Sequence, residues 1–460
     1  MKTGKTPEYL KSLIDDRPDE GVFRIHRDVF TDPDIFALEM KRLFEGGWVF
    51  LGLGSQIPNK HDFITTRIGR QPLLITRDKT GTIRALINSC PHKGARVCPL
   101  RQGSARVHVC PYHSWSFDSA GKNVMVKARS VGNYAPAFDH DSHDLAEIPR
   151  LENYGGFLFG SLVGDVMPLE QYLGEARKLI DLITQQSPDG VELVPGSTSF
   201  TYDANWKLQL ENCSDQYHFS SVHPSYVKLL ERRAEAQWSG AVRNMWDAEK
   251  VTNEADAGAG GSYIFDEGHV LNWRAVDNAD AMPLYEQIPA IVARVGQAKA
   301  DWMMHARNLT IFPNLQVAEN ASSQLRIIRP IAVNRTEMQT FCIAPIGESA
   351  AARRTRIRQY EDFFNPSGLA TPDDAVVYEA CQEGFGGEAN PWLQGYARGI
   401  AANRPGGDRY SDMIGLVPDR SIGGNRHMGD ETIFHAYYRA WLRRLSDGLA
   451  LDHNDAVGVR

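Results

Sequence analysis

Apolar residues recur at helical spacing over residues 32–45 (DPDIFALEMKRLFE), with Asp32 and Asp34 at the head as cap and dipole partners, and the pattern predicts a helix there. The rhythm then changes. Short apolar runs divided by turn residues predict strands at 48–53, 63–68, 72–77 and 83–88, the last after a Thr80-Gly81 turn, and this all-β texture continues to about Val163. After Met167 the run PLEQYLGEARKLIDLI is helical again, strands follow near 191–194 and 198–202, and a long mixed segment fills the rest. Residues 256–262 (DAGAGGS) form the loosest stretch, expected to be a surface loop, with a lid over an active site as the sharper alternative. The polar tail after Ser446 is expected to fray. The chain therefore reads as α+β, with an all-β domain (45–163) inserted between an N-terminal helical segment (1–44) and a larger α+β domain (164–460), an antiparallel sheet with surrounding helices.

With 460 residues, 42% of them hydrophobic and 23% charged, the chain exceeds one core, and two or three globular domains are expected. A net charge of -7 offers no electrostatic case for nucleic acid or an anionic membrane surface. Six cysteines spread over this length make no disulfide framework, no run of about 18 apolar residues occurs, and the charged stretch from Met1 to Asp16 does not resemble a signal peptide. A cytoplasmic protein is expected. Gly52-Leu53-Gly54 lacks the third glycine of a dinucleotide fingerprint and no helical pattern follows it, so no nicotinamide or flavin site is assigned to the chain.

Two short segments inside the all-β stretch change the picture. Cys90-Pro91-His92 and Cys110-Pro111-Tyr112-His113 each supply one thiolate and one imidazole, and together they read C-x-H-x17-C-x2-H. A Rieske [2Fe–2S] cluster carries two cysteines on one iron and two histidines on the other, which this pairing of loops satisfies. Zinc sites more often take Cys-Cys followed by His-His, or four cysteines, and fit the pattern poorly. Cys98 nearby is expected to be a small buried filler, and Cys213, Cys342 and Cys381 to be buried thiols.

A second constellation runs from Asn205 to His223. Asp215 and His218 are three residues apart and would share one face of a helix, while His218 and His223 are five apart and would diverge on an unbroken one. Pro224 disfavours helical geometry at His223, so the helix should end there and free that ring to turn back toward His218. Two histidines and one carboxylate with open positions make the facial triad of iron(II) oxygen-activating sites. The pair is also compatible with two satisfied polar side chains beside a core. Asp373 and Asp374 follow Thr371-Pro372 at a helix start, with Thr371 as cap and Pro372 as first helical residue; dipole-favoured acids and metal ligands both fit them.

The ordered set C-x-H-x17-C-x2-H, then NWK…EN…D-x2-H-x4-H, then DD resembles the large (alpha) subunits of Rieske non-heme iron aromatic-ring-hydroxylating dioxygenases over nearly the whole chain. Local wording such as Gln56-Ile57-Pro58, Gly69-Arg70-Gln71-Pro72 and Gln359-Tyr360-Glu361-Asp362-Phe363-Phe364 is most similar to the benzoate and anthranilate dioxygenase branch. The resemblance implies a Rieske domain ahead of a catalytic domain, with Cys90 and Cys110 on one cluster iron and His92 and His113 on the other. It implies mononuclear Fe(II) held by His218, His223 and Asp374, and Asp215 as the acidic bridge from this site to the Rieske histidine of a neighbouring subunit. Asn212, Cys213 and Phe364 would fall along the substrate pocket. A cis-diol product is implied, with electrons from NADH through a separate reductase, with or without a ferredoxin, and a small (beta) subunit in an alpha3beta3 hexamer or an alpha3 trimer. The expected substrate is a benzoate- or anthranilate-like monocyclic acid. An aniline, monohydroxylation or demethylation on the same scaffold, and a Rieske electron-transfer protein without oxygenase activity are the competing readings. No residue for the substrate carboxylate is identifiable, and Glu319 is expected to be a surface acid.

Overall fold

The computed structural model describes residues 5–236, 243–247, 250, 258–425 and 430–458 of the chain. Its contacts divide into two units, Phe44–Leu169 and, on either side in sequence, Met1–Leu43 with Glu170–Arg460.

The smaller unit is all-β. Its core sheet orders Ile83–Ile87, Gln71–Arg77, Asp62–Ile68 and Gln102–Ser104, all antiparallel, and two three-stranded sheets complete it. The four strands expected from apolar alternation lie within a residue of the observed ones. Leu73, Leu74 and Ile75 are all fully buried, so both faces of that central strand are covered.

In the larger unit a ten-stranded antiparallel sheet forms the scaffold. Its centre runs Val270–Arg274, Ala306–Ile311, Leu315–Glu319, Ser323–Ala332 and Arg335–Pro345, each paired with the next. One face of these strands is unusually polar. Residues opposite one another in an antiparallel ladder share a face, so Asn272, Asn308, Ala318, Gln324 and Cys342 lie in one row and Gln316, Arg326 and Thr340 in a neighbouring row. The helix Trp206–Asn212 rests on this face: Gln209 and Gln316 join through their side-chain amides at 3.2 Å, and Gln316 Nε2 also donates to the Leu210 carbonyl at 3.1 Å.

The N-terminal segment is not wholly helical, because Ile14–Arg17 and Val22–His26 form a hairpin around Gly21. The expected helix near residue 32 spans Pro33–Glu39, with the Asp32 carboxylate accepting from the N–H groups of Asp34 and Ile35, and continues as a π turn over Met40–Phe44. Glu39, fully buried, accepts from Lys207 Nζ at 2.6 Å, Trp206 Nε1 at 2.8 Å and Trp441 Nε1 at 2.7 Å, tying this segment to the helix that carries Asn212.

The glycine-rich stretch corrects an expectation. Residues 256 and 257 lie outside the described residues, but Ala259–Ile264 is an internal strand of the large sheet, paired on both sides and neither loop nor lid. A Cβ on Gly261 would stand 2.5 Å from the Ile422 carbonyl oxygen, so glycine serves strand packing there. The C-terminal helix Phe434–Gly458 extends well past Ser446, where fraying was expected. Among the described residues no helix is long and apolar enough to cross a membrane.

Candidate metal centres and cavity

Two loops of the smaller unit hold the Cys/His pairs in one geometry despite their different spacing. In the first, the Cys90 N–H donates to the Ala95 carbonyl and the Gly94 N–H to the Cys90 carbonyl, both at 2.8 Å. In the second, the Cys110 N–H donates to the Trp115 carbonyl at 2.8 Å and the Ser114 N–H to the Cys110 carbonyl at 2.9 Å. Gly94 and Ser114, the fourth residues after each cysteine, both take positive φ, 75° and 61°. These matched turns bring both sulfurs and both rings together: the His92 and His113 ring centroids are 4.5 Å apart, and His92 stacks on Trp115 at 4.8 Å.

Both cysteines are buried. Burial, reinforced by the adjoining Cys110 sulfur, holds the Cys90 thiol above its ordinary pKa although the backbone N–H groups of His92 and Lys93 point toward it. A buried thiol that disfavours its charged form, with a second buried cysteine beside it, is what a metal would deprotonate and bind. The buried His113 Nδ1 has no protein partner, which suits a ligand nitrogen. The donor set fits a Rieske cluster. Cys98 is buried in the adjoining core, held by Asn88, whose side chain accepts from the Cys98 N–H and donates to its carbonyl.

In the larger unit the second constellation is assembled from three short elements. The helix Trp206–Asn212 ends at Cys213, so Asp215 and His218 do not share a helix as their spacing suggested. Asp215 instead caps the next turn, its Oδ1 accepting from the backbone N–H groups of Tyr217 and His218. His218 precedes the short helix Phe219–Val222, and His223 leaves helical geometry (φ -111°, ψ 40°) as the following proline requires. The two imidazole centroids stand 5.3 Å apart. The third element, the helix Thr371–Phe385, starts one residue earlier than the cap signal suggested: Ala370 is the N-cap and Thr371 and Pro372 lie inside the first turn. That places Asp374 with its N–H donating to the Ala370 carbonyl and its carboxylate turned inward.

One ligand atom each from His218, His223 and Asp374 lies within 4.8 Å of the others. Asp374 Oδ1 is 3.2 Å from His223 Nε2 and 3.6 Å from His218 Nε2. Each ring turns its Nε2 to the centre and its Nδ1 to an acid: His218 Nδ1 is 3.1 Å from Asp215 and His223 Nδ1 is 3.8 Å from Asp373. An outer carboxylate behind a histidine fixes ring orientation in metal sites. Burial disfavours the charged form of His218, yet Asp215 and then Asp374 outweigh it and raise its pKa. For Asp374 burial acts upward, and His223, His218 and Arg326 together pull its pKa below the ordinary value. The donor set and its open side fit ferrous iron.

Asn212 Nδ2 stands 3.1 Å from Asp374 Oδ1 and 3.2 Å from His218 Nε2, directly at this centre. Beside it opens a cavity of about 50 Å³. Asn212 and Cys213 line it, as do Phe219, Phe363, Asn272, Asn308 and the arginines Arg274, Arg307 and Arg326. Phe364, expected on the wall, is fully buried behind it, with the Arg326 guanidinium 5.4 Å from its ring; Phe363 occupies the wall instead. Glu319 is no surface acid. It is buried, accepting from Gln186 Nε2 at 2.7 Å and from Arg307 Nη2 at 2.6 Å. All six cysteines are free, and Cys381, unlike the others, is only half-buried.

Comparison with known proteins places both regions in families. Residues 188–447 match the ring hydroxylating alpha subunit (catalytic domain), and residues 47–136 the Rieske [2Fe-2S] domain. The chain is 42% identical to toluate 1,2-dioxygenase subunit alpha of Pseudomonas putida, covering 95% of this chain and 94% of that one. It is 40% identical to the 2-halobenzoate 1,2-dioxygenase large subunit of Burkholderia cepacia, covering 96% and 93%. It is 39% identical to the anthranilate 1,2-dioxygenase large subunit of Acinetobacter baylyi, again covering 96% and 93%. Among solved structures, naphthalene 1,2-dioxygenase with indole bound superposes with a TM-score of 0.78 at 24% identity over 92% of each chain, a likeness of fold.

Proposed function

The chain belongs to the Rieske-type ring-hydroxylating alpha subunits, and from that premise we propose that it is the terminal oxygenase of a system acting on a benzoate-like aromatic acid. The single observation that carries the oxygen chemistry is the convergence of His218, His223 and Asp374 within 4.8 Å beside a cavity. The substrate class follows from the relatives, which act on toluate, 2-halobenzoate and anthranilate.

In this reading Cys90, Cys110, His92 and His113 hold the cluster, and His218, His223 and Asp374 hold ferrous iron. The cluster supplies single electrons and the iron a place for dioxygen. The protein's own side chains do the positioning. Asp215 keeps the His218 ring turned with Nε2 inward and offers an acceptor on its outer side, and Asp373 places a second negative charge 3.8 Å from His223 Nδ1. Asn212 presents a polar group at the edge of the centre, and Phe219 and Phe363 give the ring an apolar wall. The overall change adds both atoms of O2, two electrons and two protons to the arene, giving a cis-diol.

In this proposal electrons come from NADH through a separate reductase, as the family resemblance implies. A small subunit and a ring-shaped alpha3beta3 assembly complete the proposal, with Asp215 linking the iron site to the cluster of a neighbouring alpha subunit. Free thiols throughout suit a reducing cytoplasm.

The test is turnover of benzoate under ¹⁸O2 with a reconstituted electron supply. Two labelled oxygens in the organic product are expected. A single labelled atom would replace dihydroxylation with monohydroxylation, and no incorporation by iron-loaded protein would leave only an electron carrier.

A further inference from the structure

The cavity beside the triad is lined by arginines as well as by the carboxylates Asp215 and Asp374. Three arginines border it, and each meets a different fate. Arg307 sits directly across the strand register from Glu319, and the two pair at 2.6 Å on the far face of the sheet. Arg274 stands over Trp246, 3.8 Å from its ring centroid, with the Phe219 ring at 5.7 Å, and forms no ion pair among the described residues. Arg326, 8% exposed, forms no ion pair with a carboxylate among the described residues either, but its guanidinium is held at one edge by a hydrogen bond that leaves the other edge available.

The neighbours of Arg326 hold it from behind. Its Nε donates to the side-chain oxygen of Gln324, whose amide nitrogen lies 3.2 Å from Tyr360 Oη and 3.3 Å from Asn365 Oδ1. Phe364 supports the plane of the guanidinium from its buried side. Among the described residues the Nη atoms of the fork engage no protein acceptor, and Arg326 borders the cavity. Arg326 faces Gln316 across the strand register, and Gln316 donates to the Gln209 and Leu210 carbonyls of the helix whose last residue, Asn212, touches Asp374 and His218, which puts Arg326 at the metal end of the cavity. Asp374 cannot serve as its counter-ion once that carboxylate neutralises a metal. An unpaired guanidinium taken out of water is costly, and a planar fork with two free donors matches a carboxylate bidentately.

Resting on the oxygenase reading above, we propose that Arg326 is the receptor for the substrate's carboxylate, the residue that makes this cavity select aromatic acids over neutral rings. Phe364 and Gln324 are then positioning residues that fix the fork.

Benzoate and its neutral isostere benzamide separate charge recognition from shape. Equilibrium binding of each to the iron-loaded, full-length protein is measured by calorimetry for the unmodified protein, Arg326→Gln and Arg326→Lys. The unmodified protein is expected to prefer benzoate, and Arg326→Gln to lose roughly 10- to 150-fold in benzoate affinity with benzamide changed less than about threefold. Arg326→Lys, which keeps the charge without the fork, should fall between. Equal loss for both ligands would reduce Arg326 to a wall residue, and unchanged benzoate affinity in Arg326→Gln would remove it as the receptor; either overturns the proposal. Binding is read without turnover, so the two readings fail separately. Benzoate held through Arg326 with no oxygen incorporated would sink the oxygenase assignment alone, and oxygenation without any preference for the anion would sink the Arg326 assignment alone.

Discussion

Asp215 Oδ2 lies 3.1 Å from Nδ1 of His218 although the helix that would have aligned them ends at Cys213. The contact depends on Asp215 capping the following turn with its other oxygen. One carboxylate thus both shapes the loop and orients the imidazole.

Asp215→Asn separates these duties, because an amide oxygen still accepts the backbone N–H groups but no longer carries the charge that favours the His218 N–H. Metal and sulfide content are expected to stay near three irons and two sulfides per chain, with turnover falling roughly 10- to 100-fold or more. Full turnover in this variant would show that Asp215 is only a turn residue.

Removing a triad ligand should spare the other centre. His218→Ala or Asp374→Ala is expected to lose the mononuclear iron and all oxygenation while keeping about two irons, two sulfides and the visible spectrum of the cluster. Parallel loss of cluster iron would argue against two independent sites.

Glu39 and Lys207 form a buried ion pair at 2.6 Å, with two tryptophan N–H groups sharing the carboxylate. Glu39→Gln leaves the ammonium without its counter-charge, and a loss of about 3–5 kcal/mol is expected in denaturant unfolding. A change below about 1 kcal/mol would mean that Lys207 is neutral in the fold.

Glu211 is buried beneath Tyr396 and Tyr438, whose hydroxyls donate to it, and burial raises its pKa to about 7 in spite of them. Its folded pKa lies above the unfolded value of 4.5, so the folded state binds the extra proton and its stability falls as pH rises between those two values. Glu211→Gln keeps an acceptor and removes the titration. Relative to the unmodified protein it should gain up to ~3 kcal/mol between pH 5 and pH 8. Melting temperatures of both proteins at the two pH values decide it; parallel curves would rule the group out.

How far the chain can be read without its fold differs from site to site. The cluster loops were legible because each Cys/His pair lies within one turn of chain, so spacing alone keeps the donors together. His223 was legible for a similar reason, since the constraint that Pro224 imposes on it is local. Other signals misled. The glycines of 256–262 looked like a loop because nothing in their composition reports that Ile422 and Trp273 crowd Gly261. Thr371-Pro372 looked like a cap one residue late, since threonine and proline are both at home in the first helical turn.

Covalent order alone determined which donors exist, how the two pairs are spaced and where strands alternate, because those properties act over a few bonds. Only tertiary structure decided that Asp374 meets His218 and His223, that Phe363 and not Phe364 faces the cavity, and that Arg326 stands there with no ion-pair partner among the described residues while Arg307 turns to Glu319. Strand register and the face a helix covers fix such choices, and in a sheet a shift of one residue sends every side chain to the opposite side.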